Sequence, residues 1–320
     1  MTVERGVAHG VEQVEPGASV VTIGNFDGVH LGHQVLLRRT VDAATDRGLR
    51  AVAVTFDPHP AAVLRPGSEP PSLASLEERI ELIQDAGTDL VLVLPFTDEL
   101  AALTPEAFVE RVLVTRLQAA RVVVGANFRF GHKAAGDVVV LVETGEQHGF
   151  DVEAVAVREL DGDPISSSAI RSALAAGDVG WATRALGRPY RLRGEVVRGE
   201  GRGRRIGIPT ANLAVAASQT VPANGVYAGH AEVAGTTWRC VTNVGVRPTF
   251  DGGGAVTVEP HLLDVEGDLD LYGRDLTVSF EHRIRGERRF DSVDELVAQI
   301  RADVGSARTW LTDAEQRPAS

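Results

Sequence analysis

The hydrophobic pattern changes period about half-way along the chain. In the first half, short β-branched runs at 20–23, 51–56, 90–94, 122–124 and 152–157 alternate with helical patterns at 31–44, 76–85, 105–117 and 138–147. Near-continuous Val/Leu runs separated by helices are the mark of a parallel sheet covered on both faces, so this half is predicted to be a doubly wound α/β domain. After Leu186 the strand-like runs follow one another without helices, at 192–198, 226–233, 237–244, 256–263 and 276–282. Gly and Pro punctuate them, which predicts a small antiparallel β-barrel. One helix closes the pattern, opened by Ser292 with Glu295 three residues on as a capping box. Val293, Leu296, Val297 and Ile300 fall on one face of it, the face expected to pack on the barrel. The boundary is set near Gly187-Arg188-Pro189, giving domains 1–186 and 187–320.

A length of 320 residues suffices for two domains with separate cores. The single cysteine, Cys240, excludes an internal disulfide and thiolate metal clusters, and reads as a small apolar strand residue. No apolar run approaches the roughly 18 residues of a membrane span, and Met1-Thr2-Val3-Glu4-Arg5 has no secretory pattern. The expectation is a cytoplasmic protein without a membrane partner. A net charge of -12 argues against nucleic acid as a partner. Lys133 is the only lysine, so phosphate contacts would have to come mainly from Arg, His and backbone N–H groups.

Candidate chemistry begins with the run Val20 to His33, a strand, a glycine-rich turn (Gly24, Asn25, Phe26, Asp27, Gly28) and a helix start. A helix N-terminus offers unpaired N–H groups and a partial positive charge, which suit phosphate. His30 and His33, three apart on the first helical turn, can donate hydrogen bonds to phosphate oxygens or carry positive charge. Such a pair could instead be an exposed face or half of a zinc site, but the glycine turn ahead of it favours phosphate. A second segment, Val122 to Gly131, leaves a strand where open α/β sheets bind ligands. Asn127 offers an amide there, and Phe128 or Phe130 is either a stacking face or a core aromatic. A third, Ile165 to Arg171, sets Ser166, Ser167 and Ser168 before a helix pattern with Arg171 one turn in.

In the second half, the run Gly199 to Asn212 carries Gly201, Gly203, Gly207, Pro209 and several arginines. An Arg/Gly stretch could be a nucleic-acid tract, but this one is short, interrupted by Glu200 and followed by strand signals. A loop over a polyphosphate fits it better, with Thr210 and Asn212 as neutral oxygen ligands suited to Mg²⁺. Downstream lie a turn from Asn243 to Phe250 and the run Val258 to Asp264, which exposes the carboxylate of Glu259.

The Gly24–His33 run resembles the HxGH signature of nucleotidylyltransferases. Its fuller form resembles the bacterial bifunctional riboflavin kinase/FMN adenylyltransferases, or FAD synthetases. Thr55 to Pro60, the Asn127 turn and the Ser166–Arg171 cap resemble that family in the same order, and the second-half motifs resemble its riboflavin kinase module. The resemblance spans residues 18 to 310 or so. It implies a Rossmann-like nucleotidylyltransferase domain, then a barrel kinase domain with a terminal helix. It implies phosphorylation of riboflavin to FMN and adenylylation of FMN to FAD, with ATP as co-substrate and Mg²⁺ as cofactor. By the same resemblance His30 and His33 bind the ATP phosphates. Asn127, Ser167 and Arg171 line that site, Glu259 is the kinase base, and Thr210 and Asn212 contact metal and phosphate. Pro164 departs from the pattern, standing where a basic residue is common. Val265 replaces an aromatic, and Asp268 to Tyr272 is longer than usual.

Overall fold

The computed structural model describes residues 6–10, 14–15, 17–199, 203, 206–248, 254–265 and 269–316. The chain divides into two compact units, Met1–Ser167 and Ser168–Ser320.

The first unit is built on a six-stranded parallel sheet. Its strands are β1 (Gly6–His9), β2 (Ser19–Ile23), β3 (Arg50–Asp57), β4 (Leu90–Pro95), β5 (Ala119–Gly125) and β6 (Asp151–Val155), in the order β1-β4-β3-β2-β5-β6. The central strands read as continuous apolar runs because helices cover both faces. Val20, Val21, Val52, Ala53, Val54, Val91, Leu92, Val122, Val123 and Val124 are all buried. From β2 the chain moves through β3 and β4 to one side, then crosses to place β5 on the other side of β2. That reversal opens a crevice at the carboxyl ends of β2 and β5, where doubly wound sheets bind ligands. Helices α1 (Leu31–Arg47), α2 (Pro60–Leu64), α3 (Leu76–Asp85), α4 (Asp98–Ala101), α5 (Pro105–Phe108) and α6 (Val138–His148) connect the strands. The expected helix at 105–117 is α5 followed by a wide-turn segment, Val109–Arg116, with backbone bonds such as Leu117 N–H to Val112 O. The expected strand to Val157 ends at Val155.

The second unit closes on itself. Strands β9 (Tyr190–Val197), β10 (Asn212–Ala214), β11 (Gly225–Val233), β12 (Thr236–Pro248), β13 (Gly254–Leu262) and β14 (Asp275–Phe280) form a ring in the order β12-β13-β10-β9-β14-β11. Pairing of β11 with β12 seals it, and β15 (His282–Gly286) adds on β11. Tyr190, Leu192 and Val196 point inward between exposed Arg191, Arg193 and Glu195, the alternation of a barrel strand. Cys240 is fully buried, and burial pushes its thiol up to about 12. A small two-stranded ribbon, β7 (Glu159–Leu160) with β8 (Asp163–Pro164), precedes this unit.

Helices α7 (Ser167–Ala176) and α8 (Val179–Leu186) are fastened to the barrel. The Ala223 N–H donates to Leu174 O at 2.9 Å and Arg283 Nη1 to Ala176 O at 3.1 Å. The compact units therefore part between Ser167 and Ser168, ahead of the boundary expected at Gly187.

The last helix, α9 (Val293–Glu315), starts as expected, with Ser292 Oγ accepting the Glu295 N–H at 3.2 Å. Its packing face is the expected one, continued from Val293, Leu296, Val297 and Ile300 through Val304, Ala307 and Leu311, but the closest packing comes later along the helix. Val293 is 60% exposed, whereas Ala307 and Leu311, with Val304 and Trp310, meet Val226, Ala228, Val241, Leu263 and Ile284. Buried Asp303 receives Arg285 through both Nε and Nη2 at 2.8–3.0 Å, which pins the middle of the helix to β15.

Candidate functional site

The phosphate-turn candidate follows β2. The Gly24 N–H continues the sheet by donating to Val54 O at 3.0 Å. Asn25 O then accepts Thr55 Oγ1 at 3.1 Å and Arg79 Nη1 at 2.9 Å. Phe26 (φ 49), Gly28 (φ 76) and Val29 (φ 39) all take left-handed backbone angles, and the Val29 N–H closes the turn on Phe26 O at 3.0 Å. Gly28 adopts this conformation freely, whereas a β-branched Val is strained in it, the kind of strain that functional loops retain.

The turn delivers His30 to the N-cap of α1, where its Nδ1 accepts the His33 N–H at 3.3 Å. In neutral His30 the ring proton is therefore on Nε2. A Cβ on Gly32 would stand 3.1 Å from the His30 ring, so glycine is what lets that ring fold back over its own helix. The two imidazoles stack with centroids 3.6 Å apart at 16°, and the Phe26 ring, fully buried, meets His33 edge-on at 5.1 Å. Burial first, then the neighbouring His30, hold the His33 pKa well below the ordinary imidazole value. A neutral His33 offers a ring N–H as a hydrogen-bond donor rather than a resident positive charge.

Asp27, expected among the ligand contacts, is buried and faces inward. Its Oδ1 accepts the N–H groups of Leu73 at 2.8 Å and Ala74 at 3.4 Å, while its carbonyl accepts Ser167 Oγ at 2.9 Å. Asn127 is exposed on the turn after β5, across the crevice from the β2 turn. Phe128 and Phe130 stack on each other at 5.4 Å and 14° and pack on the core, so of their two possible roles the core one is realised. Arg171 lies on α7 in the second unit, with Nη2 3.3 Å from Ser168 Oγ.

On the barrel, β12 and β13 set Asn243 directly opposite Glu259. On the other side of β13, Leu213 opposes Val258 and the Ala211 N–H donates to Pro260 O at 2.9 Å. Counting one residue along this antiparallel register puts Asn212 beside Glu259. Asn243, Glu259 and Asn212 thus form one row across three strands, on the face opposite buried Val258 and Pro260. Ahead of the row, the N–H groups of Ile206 and Ile208 converge on Gly203 O at 3.1 and 2.9 Å, around Gly207 at φ 76. Pro209 O accepts His261 Nδ1 at 2.7 Å. This turn carries Thr210 next to Asn212. Gly201, and the arginines at 202, 204 and 205, lie outside the described residues.

Two residues escaped the sequence reading. His59 caps α2, its Nδ1 accepting the Ala61 N–H at 3.1 Å, and its position inside the Thr55–Pro60 motif was the available signal. Arg79 had none, because it reads as one charge on the polar side of an amphipathic helix.

Known proteins show the same division. Residues 12–169 match the family model for FAD synthetase and residues 186–311 that for riboflavin kinase. Proteins named bifunctional riboflavin kinase/FMN adenylyltransferase are similar over nearly their whole length. The one from Pseudomonas fluorescens is 42% identical over 93% of this chain and 94% of its own. That of Escherichia coli (strain K12) is 39% identical over 97% and 98%, and that of Bacillus subtilis (strain 168) 36% over 95% and 96%. A crystal structure from Streptococcus pneumoniae, described as a macrolide-efflux protein, superposes with a TM-score of 0.87 at 33% identity, covering 95% of this chain and 99% of that one. Among the described residues of this chain, no helix is long and apolar enough to cross a membrane.

Proposed function

The chain belongs to the bifunctional riboflavin kinase/FMN adenylyltransferase family, and from that premise we propose which side chains carry each of its two ATP-dependent reactions. The second unit phosphorylates riboflavin to FMN; the first adenylylates FMN to FAD and releases pyrophosphate. We assign adenylyl transfer to residues 1–186 and phosphoryl transfer to residues 187–320, in a cytoplasmic enzyme that takes small molecules and not nucleic acid as substrates.

One observation supports the division of labour. Asp27 is the only carboxylate in the Gly24–His33 run, and its Oδ1 is occupied by the Leu73 and Ala74 N–H groups. Glu259 is half-buried on the outward side of β13, in register with Asn243 on β12 and Asn212 on β10. The terminal hydroxyl of riboflavin is a poor nucleophile and benefits from a base, so Glu259 accepts its proton as the oxygen bonds to the γ-phosphorus and ADP departs. FMN already carries a phosphate anion. When that oxygen attacks the α-phosphorus and the bond to pyrophosphate breaks, no proton is removed, and positioning with charge stabilisation suffices. His30 and His33 donate to the phosphate oxygens there. The Gly24–Gly28 backbone, Asn127 and Ser167 hold the nucleotide, and Arg171 is assigned a phosphate contact on its motif alone.

Mg²⁺ is the metal we assign to the kinase reaction. Among the described residues there is no group of three or more His, Cys, Asp or Glu suited to a metal. Thr210 and Asn212 offer hard neutral oxygens, that of Asn212 in register with Glu259, which fits an ion that takes few protein ligands and completes its shell with phosphates and water. When bound, it neutralises charge on the β- and γ-phosphates. Thr210 and Asn212 orient the nucleotide for it, while Gly203, Gly207, Pro209 and Asn243 shape the surrounding loop.

The test follows FMN and FAD separately by chromatography. Glu259→Gln should lower FMN formation from riboflavin by about 10²–10³-fold or more, the scale of one strong catalytic contact. It should leave FAD formation from supplied FMN close to wild type. His30→Ala combined with His33→Ala should do the reverse. Loss of both activities in either folded variant would refute the two-site assignment.

A further inference from the structure

Arg79 sits on the second turn of α3 and is only 7% exposed. Nη1 donates to Asn25 O at 2.9 Å and Nη2 to Phe56 O at 3.1 Å, and Asp57 Oδ1 is 4.0 Å away. The two carbonyls belong to the chain at the carboxyl ends of the neighbouring strands β2 and β3. A buried guanidinium is costly. Burial pulls its pKa below the usual arginine range, and the carboxylates of Asp27, Asp57 and Glu77 pull it back. Nε is buried and has no hydrogen-bond partner among the described residues, so the cost is not fully offset. A cation kept under these terms, with its two donors on neutral backbone carbonyls, points away from simple core packing.

The second half of the argument is Asp27. Its carboxylate leaves the β2 turn to hold the N–H groups of Leu73 and Ala74, directly before the Ser75 cap of α3. Arg79 leaves α3 to hold Asn25, two residues before Asp27. The two ties run in opposite directions between the same two segments. Between their anchor points lies Phe26 in its left-handed conformation, with its ring against His33. We propose that Arg79 is a positioning residue for adenylyl transfer: with Asp27 it braces the strained turn so that His33 presents its donor to the nucleotide phosphates. This rests on the assignment of adenylyl transfer to the His30–His33 site. A ring displaced by an ångström weakens transition-state stabilisation far more than ground-state binding, so the loss should fall on kcat.

The experiment compares Arg79→Gln and Arg79→Lys with wild type in FAD formation from FMN, ATP and Mg²⁺. Wild-type FAD formation is measured first; its absence would sink the adenylyl assignment itself, separately from any variant. For Arg79→Gln, kcat should fall on the order of 10–100-fold with KM for ATP within about threefold of wild type. Arg79→Lys keeps the charge but reaches one carbonyl at a time, and should recover at least about threefold over Arg79→Gln. Riboflavin phosphorylation in the same preparations, and the far-ultraviolet circular dichroism, should match wild type. An unchanged kcat, a rise in KM as large as the fall in kcat, or Lys no better than Gln would each overturn the proposal. If Arg79→Gln does not accumulate as folded protein, Arg79→Lys decides by itself. A lowered kcat at unchanged KM supports the brace, and a wild-type kcat defeats it.

Discussion

His33 and His230 are displaced in opposite directions, and the signs follow from their neighbours. Burial and His30 hold His33 low, so the unfolded chain takes up a proton near its ordinary pKa that the folded chain refuses. The stability that neutral His33 contributes is complete above the unfolded pKa and is lost as pH falls below it. His230 is raised by its hydrogen bond to Glu281 at 2.7 Å, against the effect of burial and with further help from Glu315. Its contribution is complete below the unfolded pKa and fades as pH rises through the folded one. Acidification from about pH 7.5 to about pH 5.5 should therefore weaken the first unit at His33 while sparing the His230 clamp on the barrel. Melting followed by circular dichroism at both pH values should show a smaller acid-induced loss in His33→Gln than in wild type. Identical losses in the two proteins would rule His33 out as the source. The histidines were legible in the sequence because the signature that holds them is contiguous. Asp27 and Phe26 were not, since their roles depend on Leu73 and on the ring of His33. Arg79 was less legible still, its two carbonyl partners lying 54 and 23 residues away.

At the scale of elements, runs that carry their own period were readable and those defined by a partner were not. The buried parallel strands and the long barrel strands announced themselves by composition. β1, β10 and β15, of four, three and five residues, are strands only because β4, β9 and β11 offer them hydrogen bonds. Asn212 sits on one of these, so its place beside Glu259 was fixed by pairing and not by pattern. In α9 the more apolar first turns were expected to pack, yet the docked part is the later one, set by the Arg285–Asp303 pair and the gap that Ala307 and Leu311 fill. Leu311→Ala should cost about 2–5 kcal/mol of unfolding free energy. Val293→Ala should stay within about 0.5 kcal/mol. Urea unfolding of both variants measures this, and equal costs would mean that the docked part of the helix is misassigned.

At the scale of the whole molecule, the change of fold class and the order of the two chemistries could be read from the chain; the riboflavin kinase match begins at residue 186, while the compact units part at Ser167. Leu186 ends a helical pattern and Gly187-Arg188-Pro189 looks like a linker, so a break was expected there. Helices α7 and α8 nevertheless belong to the same compact unit as the barrel, tied to it by the bonds from Ala223 to Leu174 O and from Arg283 to Ala176 O, and Ile170, Leu174, Val179, Ala182 and Leu186 are buried. The seam at Ser167 has an optical consequence. All three tryptophans (Trp181, Trp238, Trp310) and all three tyrosines (Tyr190, Tyr227, Tyr272) fall after it, leaving phenylalanine as the only ring of benzene type before it. Absorbance at 280 nm and intrinsic emission therefore arise from the second compact unit, Ser168–Ser320. The first unit, Met1–Ser167, carries no chromophore for either signal, and the yellow chromophore of the flavin substrate is the natural reporter of its state.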